Sequence, residues 1–195
     1  MDHITFPLEI KMAGDDTRSF SGYASVFGNI DSHGDIVAKG AFKNSLEESK
    51  SANDWPSMLL QHGGPTTEDQ MPIGVWTHME ENETGLRVEG KLAKTKRGND
   101  VYELLKMQPR PALSGLSIGF RANKYDLHKS GAVKRTLTKL DLVEVSLVVN
   151  PSNRKATITR VKSRAEDAEL EAAQLKRWKL REEEILKSAN STGRR

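Results

Sequence analysis

A hydroxyl, an imidazole and a carboxylate, each set in an apolar segment, are the side chains here that could carry acyl transfer. Ser117 stands between Gly115 and Gly119 in ALSGLSIGF, residues 112–120. His62 follows the apolar run Met58-Leu59-Leu60 and Gln61, and precedes Gly63-Gly64. Glu144 interrupts LVEVSLVV, residues 142–149. An imidazole titrates near neutrality and can take the proton of an attacking hydroxyl, while a carboxylate can orient that imidazole. Each residue also has a purely structural reading. Ser117 serves equally as a small strand residue that its glycines let pack closely. His62 could simply close a strand. Glu144 alternates onto the face of Ser146 and Val148, away from Val143, Val145, Leu147 and Val149, so strand period alone favours an exposed carboxylate over a buried one. Asp141 is the alternative acid. Ser114 is the alternative nucleophile; three places before Ser117 in a strand it faces the other side, so the two cannot both serve. His3, His33, His78 and His128 sit in polar or turn-like surroundings and are read as solvated.

The run Gly115-Leu116-Ser117-Ile118-Gly119 matches G-x-S-x-G, but the α/β-hydrolase elbow needs strand, sharp turn and helix, with acid and then histidine following. Here the flanks are β-like, βα units do not alternate, and only His128 follows. The elements that must position the three residues are therefore strands. Expected strands cover 4–12, 19–27, 58–60, 71–77, 86–92, 113–120, 133–140, 142–149 and 156–161, with an irregularity at Gly22 and a hairpin turn at 83–85. Short helices are expected at 40–50 and 100–107, the second stopped by Pro109 and Pro111. Such a pattern predicts a mainly β fold with peripheral helices, a compact antiparallel β-barrel. Residues 165–187 lack Gly and Pro and are rich in Ala, Glu, Leu, Lys and Arg, which predicts a C-terminal helix. The expected division is a β domain over 1–162 and a helical tail over 163–195.

Composition narrows the function classes. With 195 residues, 36% hydrophobic and 29% charged, the chain suits about one globular domain. It has no cysteine, which excludes disulfides, a thiol nucleophile and a cysteine-ligated metal site. No apolar run approaches the roughly 18 residues of a membrane helix, and the N-terminal segment lacks the basic and apolar blocks of a signal peptide. Net charge is +3, with basic residues clustered over 91–97. That cluster contains no aromatics, which argues against a nucleic-acid-binding barrel.

Four segments resemble the prohead (capsid-maturation) serine proteases of tailed phages, relatives of the herpesvirus assemblins. They are FSGYASVFGNIDSHGDIVAKGAF (20–42), MLLQHGG (58–64) with PIGVW (72–76), LSGLSIGF (113–120) and LVEVSLVVNPSNRKATI (142–158). They occur in the family's order. The resemblance implies a seven-stranded barrel with peripheral helices. It implies His62 as base, Ser117 as nucleophile and Glu144 as the third, acidic member, with no metal or organic cofactor. Backbone amides near Ser117 or Arg121 are the candidate oxyanion donors. The implied substrate is the scaffold portion of the phage major capsid protein, and the chain itself, within the assembling prohead in the host cytoplasm. Assemblins imply a homodimer by analogy. The polar stretch 65–70 departs from the family pattern beside His62, where it would reshape one wall of the cleft. The competing class is a non-catalytic assembly module that keeps the fold without a working site.

Overall fold

The structure, a computed structural model, describes residues 18–161 and Lys176. The sheet is organised around β7 (Arg135–Val148), in which the expected strands at 133–140 and 142–149 join into one. One edge of β7 pairs along nearly its whole length with antiparallel β6 (Gly115–Leu127). The other edge takes two short strands in succession, both parallel to it. β2 (Asp35–Val37) pairs with Arg135–Leu137, and β3 (Ser57–Leu60) pairs with Glu144–Leu147. Helix α1 (Lys43–Ala52) connects those two strands and packs on β7, where Ser45 Oγ accepts the Leu142 N–H. Antiparallel pairing continues from β3 to β4 (Gly74–Glu81), β5 (Gly85–Leu92), β1 (Ser19–Val26) and β8 (Ile158–Val161). Helix α2 (Lys96–Lys106) follows β5 and begins earlier than expected, because the Thr95 side chain accepts the Gly98 N–H as its N-cap.

This overturns the expected closed antiparallel barrel. Among the described residues the sheet is mixed and open, with two internal helices. Near its ends, β6 and the segment before β8 meet only at the isolated bridge Gly115↔Thr157 and two flanking backbone hydrogen bonds. The error has a physical source. Strands as short as β2 and β3 carry no direction in their side-chain pattern, and their partners lie far along the chain. Direction comes from the crossover through α1. The expected strand at 4–12 lies outside the described residues, as do the expected C-terminal helix and proposed tail apart from Lys176.

The local predictions are better matched. Leu86, Val88 and Leu92 are buried on one face of β5, as period two requires. Asn82 Oδ1 accepts the N–H groups of Thr84 and Gly85 and fixes the expected hairpin. The irregularity at Gly22 falls in the β1–β8 register, where an added Cβ would lie 2.4 Å from the Thr157 carbonyl oxygen. The core gathers strand residues Phe20, Met58, Leu116, Leu137, Leu140, Val145 and Leu147 with Phe42 before α1, all nearly or fully buried.

Candidate active site

The C-terminal half of β7 lies between β3 and β6, and that neighbourhood brings the three apolar segments together. In an antiparallel pair, directly opposed side chains share a face. Gly115, Ser117 and Gly119 stand opposite Val148, Ser146 and Glu144. The two glycines of the G-x-S-x-G run therefore line the face that carries the carboxylate. A Cβ on Gly119 would lie 2.4 Å from Glu144 Oε1, and one on Gly115 would lie 2.5 Å from the Val148 carbonyl oxygen. Glycine is required at both positions by close approach within a strand pair, not by a strained elbow.

His62 arrives from β3. The Gln61 N–H still donates to the Leu147 carbonyl, and then Gln61, His62 and Gly63 take φ values of 54°, 62° and 70°. Consecutive left-handed residues fold the chain back over β7. Three hydrogen bonds fix the result. The His62 backbone N–H donates to Ser146 Oγ (3.1 Å), His62 Nδ1 lies 2.6 Å from Glu144 Oε1, and Ser146 Oγ donates to Glu144 Oε2 (2.5 Å). Glu144 is 9% exposed and Ser146 fully buried, while the His62 side chain remains 45% exposed. The expectation of an outward carboxylate thus fails. Both faces of residues 144–148 are covered: Val145 and Leu147 enter the core, while the opposite face meets the turn bearing His62 and the glycine-lined face of β6. At Val143 the β6–β7 register slips, and this extra residue is the one left exposed.

The hydrogen bond to Glu144 raises the His62 pKa above its usual 6.5; partial burial opposes it, and the attraction of the carboxylate adds to the rise. With Nδ1–H given to the carboxylate, Nε2 keeps its lone pair, and among the described residues it has no partner. Ser117, 7% exposed, has a hydroxyl likewise without a hydrogen-bond partner among them. His62 and Ser117 line one cavity of about 140 Å³, with Asn29, Asp31, His33, Asp35, Ser152 and Asn153 on its other walls.

Those walls come from segments to which sequence reading gave no role. Asp31 Oδ1 accepts the N–H groups of His33 and Asp35, which closes the loop before β2. Asn153 donates to the Val26 carbonyl and accepts from Asn29 and from the Lys155 N–H, tying the loop after β7 to the end of β1. His33, read as solvated, is exposed yet lines the cavity and contacts Ser152. Ser146 was also missed, although the alternation that put it on the Glu144 face was its signal.

The alternatives fall elsewhere. Ser114 precedes β6, gives its carbonyl to the Ile158 N–H and does not line the cavity. Asp141 pairs in register with Arg121, three places before the carboxylate that meets His62. Arg121 is exposed and away from the cavity walls, and the Leu116 amide is already spent on the Ala156 carbonyl. None of residues 65–70 lines the cavity either; Thr66 and Asp69 hydrogen-bond to each other there, and Arg97 holds the Glu68 carbonyl.

The chain is 35% identical over 158 residues to the prohead protease of Enterobacteria phage HK97; the match covers 80% of this chain and 65% of the length of that relative. Residues 6–171 match the Caudovirus prohead serine proteases, and the chain belongs to that family.

Proposed function

We propose that this protein is a serine endopeptidase of capsid maturation, with Ser117 as nucleophile, His62 as general base and acid, and Glu144 as the carboxylate that orients His62. The observation that carries the reading is the 2.6 Å contact of a buried carboxylate with the imidazole that shares a cavity with Ser117. Family membership supports the reaction class.

As Ser117 Oγ attacks a peptide carbonyl carbon, His62 Nε2 takes the hydroxyl proton. The negative Glu144 stabilises the imidazolium that forms. When the tetrahedral species collapses, the C–N bond breaks, Nε2 protonates the departing amine and an acyl ester remains on Ser117. Water, deprotonated by the same nitrogen, then hydrolyses the ester and frees the serine. The substrate is the scaffold portion of a phage capsid protein, with the chain itself as a second target. The place of action is the assembling prohead in the host cytoplasm, where confinement holds substrate at high local concentration.

Co-expression with the cognate capsid protein tests this. Wild type and Ser114→Ala should process it, and Ser117→Ala should not. Normal processing by Ser117→Ala would sink the nucleophile assignment.

A further inference from the structure

Ser146 stands at the centre of the site, yet no step of the reaction uses it. Its hydroxyl has one proton and two lone pairs. The proton goes to Glu144 Oε2 at 2.5 Å, and one lone pair receives the backbone N–H of His62 at 3.1 Å. The side chain is fully buried, and Ser146 is the residue directly opposite Ser117 across the β6–β7 pair. One hydroxyl thus grips both members of the acid–base pair: the carboxylate by a side-chain bond and the histidine by its main chain.

The main-chain grip falls where the backbone is least favourable. Gln61 and His62 both have left-handed φ without being glycine, a conformation that persists only when surrounding contacts determine it. The Gln61 N–H is held by the Leu147 carbonyl, and the His62 N–H by Ser146. The side-chain grip occupies Oε2 and so turns Oε1 toward Nδ1 of the imidazole. Without the hydroxyl, the carboxylate could rotate and the turn could relax, and each motion would shift the imidazole within the cavity that it shares with Ser117.

We infer that Ser146 is a positioning residue for the reaction: its hydroxyl locks the turn bearing His62 to the Glu144 carboxylate and so sets the aim of the imidazole at Ser117. The inference rests on the reading of His62 and Ser117 as base and nucleophile.

A serine-reactive fluorophosphonate tests it in the full-length chain. In labelling, Ser117 Oγ forms a bond to phosphorus, fluoride leaves, and His62 takes the hydroxyl proton. The rate of labelling therefore reports the aim of the base without any peptide substrate. Wild type should label and Ser117→Ala should not. Ser146→Ala should label about 10- to 100-fold more slowly, the range in which loss of a supporting hydrogen bond or a small misplacement acts. In a His62→Ala background, where labelling is already slow, adding Ser146→Ala should change the rate less than twofold, because the hydroxyl works through that imidazole. Ser146→Cys, of similar size with a weaker donor, should fall between wild type and alanine, and it carries the test if the alanine variant does not fold. A Ser146→Ala or Ser146→Cys rate equal to wild type overturns the inference, as does an equal further loss in the His62→Ala background. Wild type that fails to label, or labels as fast without His62, overturns the underlying assignment as well, so the two failures are distinguishable.

Discussion

At the scale of single residues, Glu144 decides what His62 can do. A carboxylate 2.6 Å from Nδ1 stabilises the protonated ring and raises its pKa above 6.5. Only the neutral ring can accept the serine proton. The rate of acylation should therefore rise with pH through a midpoint above 6.5. Glu144→Gln removes the charge and the strong acceptor, while the partial burial that disfavours the cation remains, so its midpoint should move down. Its rate at the plateau should also fall, by about 10⁴-fold, because an amide can donate to Nδ1 and fix the wrong tautomer. A pH–rate profile of fluorophosphonate labelling measures both effects; a midpoint unchanged by the substitution would separate the carboxylate from the base. Gly119→Ala acts on the same pair from the opposite strand. Its methyl carbon would lie 2.4 Å from Glu144 Oε1, too close for any real contact, and would push the carboxylate off the imidazole. A displacement near 1 Å predicts about a 10²-fold loss of rate, with the labelling midpoint moving toward the ordinary histidine value.

At the scale of elements, β7 is where strand pairing becomes site geometry, and that is also where sequence reading stops. The segments bearing His62, Ser117 and Glu144 were legible as strands because apolar runs bounded by glycine and polar turns specify them locally. Their mutual register was not. It depends on β3 pairing parallel with residues 87 positions further on, and no local pattern encodes that choice. The burial of Glu144 was misjudged for the same reason: alternation assigns a residue to a face, and only the neighbouring elements say whether that face is covered. The slip at Val143 adds a residue that alternation cannot foresee. Substitutions should follow this anatomy. Leu147 is fully buried between β3 and β6, so Leu147→Ala should cost about 2–5 kcal/mol. Val143, 48% exposed in the same strand, should cost less than about 0.5 kcal/mol when changed to alanine. Chemical denaturation with equal slopes for both variants checks the contrast. Equal costs would mean that β7 is not packed as described. At the other end of β7, Arg135 holds the buried carboxylate of Asp35 through Nε at 2.8 Å and through Nη2, joining β2 to β7. Arg135→Leu strands that carboxylate. Since the guanidinium is partly exposed, the expected loss is about 2–3 kcal/mol, below that of a fully buried pair.

At the scale of the whole molecule, the His62–Glu144 pair joins the fold's stability to the chemistry through one proton, with opposite signs. The folded-state pKa of His62 lies above its ordinary 6.5, so the folded protein binds this proton more tightly than the unfolded chain. The stabilisation is fully present below 6.5 and is lost as pH rises through the folded value. Over that same window the neutral imidazole, the form that accepts the serine proton, becomes populated. The protein should therefore gain reactivity and lose stability together as pH rises from about 6 through the raised midpoint. Many other groups also set the pH dependence of unfolding, so the informative quantity is a difference. His62→Gln removes this titration while leaving the rest in place. The gap in thermal midpoint between wild type and His62→Gln should be largest in favour of wild type at the acid end of the window and should shrink toward the alkaline end. A gap that stays constant across the window, or widens with pH, would mean that His62 gains no proton affinity on folding and that its contact with Glu144 contributes nothing to either property.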